Sequence, residues 1–208
     1  EEAARRVRAH CPAARVVEIP HLFEPPETLS AADVVCFRER LGISSGAFVF
    51  GLFGYLRESK RVMNVLRAFA RLRRDTPRVA LLVAGDFVST DLARAAAPHL
   101  AAPGIVRLPH LGEQDFLLAA AATDCCVNLR DPAAGETSGI TIRMMALGKP
   151  VVVTNSADNA AWPEAACLRV PAGPAEEDAL WEHMVLACSF PQIAREIGRR
   201  AAAWIGEH

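Results

Sequence analysis

The chain has 208 residues, 51% of them hydrophobic, with a formal net charge of −1 and 6% aromatic content. That length supports one domain with a sizeable core or two small ones. The near-neutral charge argues against a nucleic-acid binder, no apolar run reaches the roughly 18 residues of a membrane span, and the first residues do not read as a secretory signal.

Glu1 to Ala9 reads as the tail of a helix already under way, with no Met and no N-cap before it, so a fragment of a longer protein is expected. Ala14–Ile19 is expected as a short strand ended by Pro20, and His21–Leu29, with Pro25 and Pro26, as a linker. Residues 1–30 are therefore assigned to an interdomain strand and linker, and 31–208 to one domain. Ser30 is placed to cap a helix over Ala31–Leu41 that stops at Gly42.

From there apolar strands and amphipathic helices alternate. Strands are expected at Phe48–Phe53, Val79–Ala84, Ile105–Leu108, Cys125–Leu129, Val151–Thr154 and Cys167–Val170. Helices are expected at Lys60–Arg74, Asp91–Leu100, Glu113–Ala122, Ile140–Leu147, Glu176–Ser189 and Gln192–Ile205. Continuous apolar strands separated by helices of this length mean βαβ units. Right-handed crossovers then build an α/β fold, a doubly wound parallel sheet. In such a sheet ligands bind outside the carboxyl ends of the strands, which singles out the loops at 54–59, 85–90, 109–112, 130–139 and 155–162.

Only Lys60 and Lys149 stand among 23 basic residues. A coding bias toward Arg explains the rest, and a surviving Lys hints that a compact ammonium is wanted. The six cysteines include no Cys-x-x-Cys pair. They read as reduced, mostly buried thiols of a cytoplasmic protein, with no metal site.

Two loops could carry chemistry. Gly54-Tyr55-Leu56-Arg57-Glu58-Ser59-Lys60-Arg61 follows a strand and matches neither the dinucleotide fingerprint nor the phosphate loop. Its Arg57, Lys60 and Arg61 place three cations at an expected helix start, where they oppose the macrodipole and a bound anion would relieve them. Solvated basic residues are the plain alternative. Glu136-Thr137-Ser138-Gly139 directly precedes a helix and offers N–H groups and hydroxyls to an anion, with the Glu136 carboxylate suited to sugar hydroxyls. Thr137 or Ser138 acting as a simple helix cap is the alternative there. Arg143, a turn later, faces either a ligand or solvent. Lys149 reads as a favourable helix-end charge and Trp162 as a packing residue. His110, at a strand's carboxyl end, is within reach of a bound base or sugar.

Together these stretches resemble the C-terminal, donor-binding domain of the GT-B glycosyltransferases of family GT4, glycosyltransferase group 1. Phe53-Gly54-Tyr55-Leu56 through Lys60, with Leu66-Arg67-Ala68-Phe69, looks like the family's Gly-Arg-Leu…Lys-Gly segment and following helix. Leu81-Leu82-Val83-Ala84-Gly85 looks like its second strand. Glu136–Gly139 and Met144-Met145-Ala146-Leu147-Gly148-Lys149-Pro150 look like its Glu-x7-Glu block, and Val17-Glu18-Ile19-Pro20-His21 like its approach from the first domain. Two positions depart. Tyr55 stands where the family has Arg, with Arg57 as a substitute, and Arg143 stands where it has its second, ribose-binding Glu.

The resemblance implies a Rossmann-like half of a GT-B architecture, with its N-terminal acceptor domain absent. It implies a retaining, hexosyltransferase-type enzyme using a nucleoside-diphosphate sugar without a metal or other cofactor. Lys60 and Glu136 would be the catalytic residues, and Gly54, Tyr55, Arg57, His110, Thr137, Ser138, Gly139 and Arg143 the donor-binding ones. The acceptor, a glycan, lipid or small molecule, would be met with the missing domain, with peripheral membrane contact in the full-length protein, and this fragment alone would be inactive. The rival readings are a degenerate glycosyltransferase-like binding or scaffold module, a sugar-nucleotide epimerase of the same architecture and, more distantly, a receiver domain.

Overall fold

A computed structural model describes residues 2–17, 19, 21, 23–25, 29–133 and 135–208. Helix α1 (Glu2–His10) and helix α2 (Ala31–Arg40) precede the sheet. The sheet is built from β1 (Phe48–Phe53), β2 (Val79–Ala84), β3 (Ile105–Leu108), β4 (Cys125–Asn128), β5 (Val151–Thr154) and β6 (Leu168–Val170). Between and after them run α3 (Val62–Asp75), α4 (Thr90–Leu100), α5 (Glu113–Ala121), α6 (Gly139–Ala146), α7 (Glu176–Ser189) and α8 (Pro191–Glu207). All strand pairs are parallel, in the order β3-β2-β1-β4-β5-β6. The chain therefore winds outward from β1 in both directions, and the break in order lies between β1 and β4.

The two-residue period of β1 explains the two cores. Phe50 and Leu52 point to the layer of Leu66, Phe69 and Met184, while Val49 and Phe53 point to the layer of Phe116, Met144, Met145 and Trp162. Each of these side chains is buried, and full burial of one stabilises by about 1.5–3 kcal/mol. A strand buried on both faces has no polar side to alternate with, which is why the sheet reads as unbroken apolar runs.

The first expected strand does not form. Ala14–Val17 and Ile19 are irregular, and Val17 and Ile19 are 66% and 83% exposed. No described strand flanks this apolar stretch to satisfy its backbone, so propensity alone does not make it a strand. Glu18, Pro20, Leu22, Pro26, Glu27 and Thr28 of that segment, and Glu1, lie outside the described residues. The helix expected from Lys60 begins later. Glu58–Lys60 is a 3-10 turn and Arg61 adopts φ +55°, so α3 starts at Val62. The three cations of this loop thus sit on an extended residue, a tight turn and a left-handed residue, not on a helix's first turn.

All six cysteines are free, but Cys11 and Cys36 are exposed, so only Cys125, Cys126 and Cys167 fit the expectation of burial in full. Lys149 donates to the Ala121 carbonyl at 2.7 Å. Trp162 is buried and its indole N–H donates to Asn159 at 3.0 Å. Among the described residues no helix is long and apolar enough to cross a membrane.

Candidate functional site

The carboxyl ends of β1 and β4 diverge at the break in strand order, where an open crevice is expected in this class of sheet. The loop after β1 and the loop after β4 supply its walls. Gly54 turns the first loop with φ +86°, and a Cβ there would lie 3.1 Å from Lys60 Nζ and 3.6 Å from Ile140. Glycine leaves that space to the ammonium. Beneath it, a Cβ on Gly85 would meet the Gly54 carbonyl oxygen at 2.1 Å, so the ends of β1 and β2 are pressed together.

Lys60 is the centre of the arrangement. It is 5% exposed, donates to the Phe53 carbonyl and lies 3.4 Å from Asn128 Oδ1. Burial, reinforced by the charges of Arg130 and Arg57, brings its pKa down to about 8. A buried ammonium facing only neutral oxygens is an incomplete pairing, and an anion would complete it.

Asn128 closes β4 and connects this ammonium to the second loop. Its Nδ2 donates to Ser138 Oγ at 2.8 Å and to Thr141 Oγ1 at 2.7 Å. Ser138 is the N-cap of α6, its Oγ accepting the Thr141 N–H at 3.4 Å. The helix cap that the sequence offered as the plain alternative is thus the one formed, and Ser138 forms it. Gly139 follows without a side chain, and a Cβ there would stand 2.8 Å from His21 Nε2, so the linker histidine lies against the start of α6. Thr137 is exposed beside it.

Glu136 is exposed and forms an ion pair with Arg130. Arg130 is fixed at its own backbone N–H by Thr154 Oγ1 at 3.0 Å, while its Nε is buried without a partner. The turn that carries Lys60 is braced from behind. Fully buried Glu176 accepts from Arg61 Nε at 2.8 Å and Asn64 Nδ2 at 2.6 Å.

The remaining expected residues take other places. Arg57 is exposed at the start of the 3-10 turn. Tyr55 stacks on His110 with centroids 6.1 Å apart and rings 23° from parallel, and the His110 N–H meets Asp86 at 3.3 Å. Arg143 is held between the rings of Phe23 and Phe116, 5.3 and 5.4 Å from their centroids. That contact ties α6 to the linker and to α5, where sequence reasoning had weighed only ligand against solvent. Asn128, Arg130 and Thr141 were not singled out in the sequence. An Asn closing an apolar strand at its carboxyl end is the signal that could have found the first.

The pattern of the family described as Glycosyl transferases group 1 matches residues 47–198, more than half of the chain. No curated protein sequence matches. Among solved structures, HepE of Anabaena in complex with UDP-glucose superposes with a TM-score of 0.76 at 20% identity, over 86% of this chain and 49% of that one. Sucrose-phosphate synthase of Thermosynechococcus elongatus gives 0.77 at 17% identity, over 99% and 52%. The C-terminal domain of the group 1 glycosyl transferase LpcC of Francisella tularensis gives 0.63 at 17% identity, over 77% and 85%. The chain thus spans about half the length of HepE and of the synthase, and covers most of the isolated C-terminal domain. By the family pattern that runs from the start of its sheet into α8, the chain belongs to the glycosyl transferases group 1 family.

Proposed function

We propose that this chain is the donor-binding half of a retaining glycosyltransferase of the hexosyltransferase type, which moves a sugar from a nucleoside diphosphate to an acceptor hydroxyl. The observation that carries the reading is the buried Lys60 ammonium joined through Asn128 to the capped N-terminus of α6, at the break in strand order. One neighbour in fold, HepE, was solved with UDP-glucose and with UDP and glucose, which supports a nucleotide sugar as the ligand here.

In this reading the diphosphate lies between Lys60 and the Ser138–Gly139 N–H groups. Charge builds on that diphosphate as the glycosidic bond breaks, and donors already in place stabilise it without reorganisation. Arg57 and Arg130 add positive charge, so the leaving group is neutralised by the protein itself and no metal ion is required. Glu136 accepts from sugar hydroxyls after exchanging part of its pairing with Arg130. Tyr55 and His110 present an aromatic surface to the nucleoside. The acceptor, and with it any membrane contact, belongs to the length that HepE and the synthase have beyond the matched half. Free cysteines fit a cytoplasmic setting.

Calorimetric titration of the chain with UDP and UDP-glucose tests the assignment. Saturable binding that is lost in Lys60→Ala is expected, and equal affinity in the variant sinks the phosphate role of Lys60. A degenerate binding module is the second reading, favoured by Arg143, whose side chain is engaged by two aromatic rings where the family has a ribose-binding Glu. It predicts donor binding with no transfer or donor hydrolysis by the full-length protein.

A further inference from the structure

At the opposite end of the sheet, where β1, β2, β4 and β5 begin, lies a cavity of about 700 Å³. Its size falls within the range of small-molecule sites, and it has an apolar floor of Phe48, Val79, Pro150 and Ala194. Four cations line it: Arg38 from α2, Arg78 just ahead of β2, Lys149 ahead of β5, and Arg195 in the second turn of α8.

The one carboxylate in this lining, Asp124, is already engaged. It pairs with Arg38 at 2.9 Å and accepts the Val49 N–H at 2.7 Å. Arg38 in turn donates to the Ala122 carbonyl. The side chains of Arg78 and Arg195 have no ion pair or hydrogen bond among the described residues, and the Lys149 ammonium has only a backbone carbonyl. Burial and the nearby Arg38 lower the Lys149 pKa, with Asp124 opposing them. Thr76 adds a hydroxyl, and α8 turns its N-terminus to the cavity with no side-chain cap. Positive charge thus converges on a concave, partly apolar space whose carboxylate is committed elsewhere.

We propose that this basal cavity is a second ligand site, separate from the carboxyl-edge crevice, which takes a soluble small molecule carrying a phosphomonoester or diphosphate. Arg78 and Arg195 grip the phosphate, Lys149 and Thr76 donate from below, and the apolar floor takes the body of the ligand. The volume suits a phosphorylated sugar better than a bare phosphate ion. A recessed cavity of this kind also suits a free molecule better than a headgroup held in a bilayer.

NMR titration of the 208-residue chain with sodium pyrophosphate and with glucose 6-phosphate tests this. Saturable shifts are expected at the backbone amides of Phe48 and Lys149 and at the side-chain Nε–H groups of Arg78 and Arg195. The same midpoint is expected in Lys60→Met, where the carboxyl-edge site is disabled. In the double variant Arg78→Ala and Arg195→Ala the midpoint moves at least tenfold higher, while UDP read at the Ser138 and Gly139 amides of the crevice titrates unchanged. Both arginine side chains are exposed and bond to nothing described, so this variant keeps its fold, which circular dichroism checks. Glucose without phosphate produces no shift. Linear shifts without saturation, an unmoved midpoint in the double variant, or loss of the basal shifts in Lys60→Met would each overturn the site. Arginine-dependent capture by phosphatidylcholine vesicles containing one-third phosphatidic acid, without saturable binding of either soluble probe, would overturn the small-molecule assignment.

Discussion

Lys60 Nζ and Asn128 Oδ1 lie 3.4 Å apart across the break in strand order. This contact joins the loop after β1 to the end of β4, and Asn128 extends it to Ser138 and Thr141. Asn128→Leu keeps the branched shape, adds some volume and removes three polar contacts at a buried place. We expect it to cost about 1–3 kcal/mol, read as a lower midpoint in thermal unfolding. Donor affinity should fall with it, because Ser138 and Lys60 lose their common partner.

Donor binding should depend on pH through Lys60. Its ammonium titrates near pH 8, so the cationic form that a diphosphate needs declines as pH rises past that value. The dissociation constant for UDP is expected to be level between pH 6 and 7.5 and to climb about tenfold for each unit well above 8. A flat profile to pH 9.5 would show that Lys60 is not the diphosphate's partner.

The same burial makes Lys60 costly to the empty fold. Its pKa is about 8 when folded and near 10.5 in an unfolded chain, so below pH 8 the unfolded state binds the proton more tightly. The penalty, up to about 3 kcal/mol, is fully present below pH 8 and is relieved as pH rises toward 10.5. Lys60→Met should therefore stabilise the unliganded protein at pH 7, less so at pH 10, while abolishing UDP binding. Denaturant unfolding at the two pH values measures both parts.

Much of this architecture is legible in the amino-acid sequence because the parallel strands are buried on both faces. Phe48–Phe53 and Val79–Ala84 form at the bounds expected from their apolar runs. Ala14–Val17 and Ile19, from a β-branched stretch broken by charged residues, form no strand, since pairing depends on a neighbour that local pattern does not reveal. Lys60 and Ser138 were legible as candidates because a residue type with its own chemistry stands in a loop at a strand's carboxyl end. The site was opaque where a side chain is recruited from a distance. Arg143 lies 120 positions from Phe23 and 27 from Phe116 in sequence, and nothing local to α6 announces that both rings enclose it.

The proposed reading assigns Glu136 to the sugar and not to the nucleotide. In Glu136→Gln the diphosphate groups are untouched, so UDP should bind as in the parent, while any gain from the sugar in UDP-glucose should shrink by about tenfold. Equal losses for both ligands would place Glu136 in support of Arg130 instead of on the sugar.

Gly85 leaves no room for a single methyl group. Alanine there would bring a Cβ to 2.1 Å from the Gly54 carbonyl oxygen at φ +134°, with backbone on both sides of the clash. Gly85→Ala should cost more than about 2 kcal/mol and displace Gly54 from beneath Lys60. Thermal unfolding reads the first effect and UDP titration the second.

Helix α6 has eight residues, with Ser138 capping one end and Arg143 clasped by Phe23 and Phe116 near the other. A helix of that length is about 12 Å long and behaves as a stiff rod, too short to bend appreciably between its ends. The linker's Phe23 and the capped start of α6 are therefore mounted on one stiff body, whose two ends keep a fixed separation.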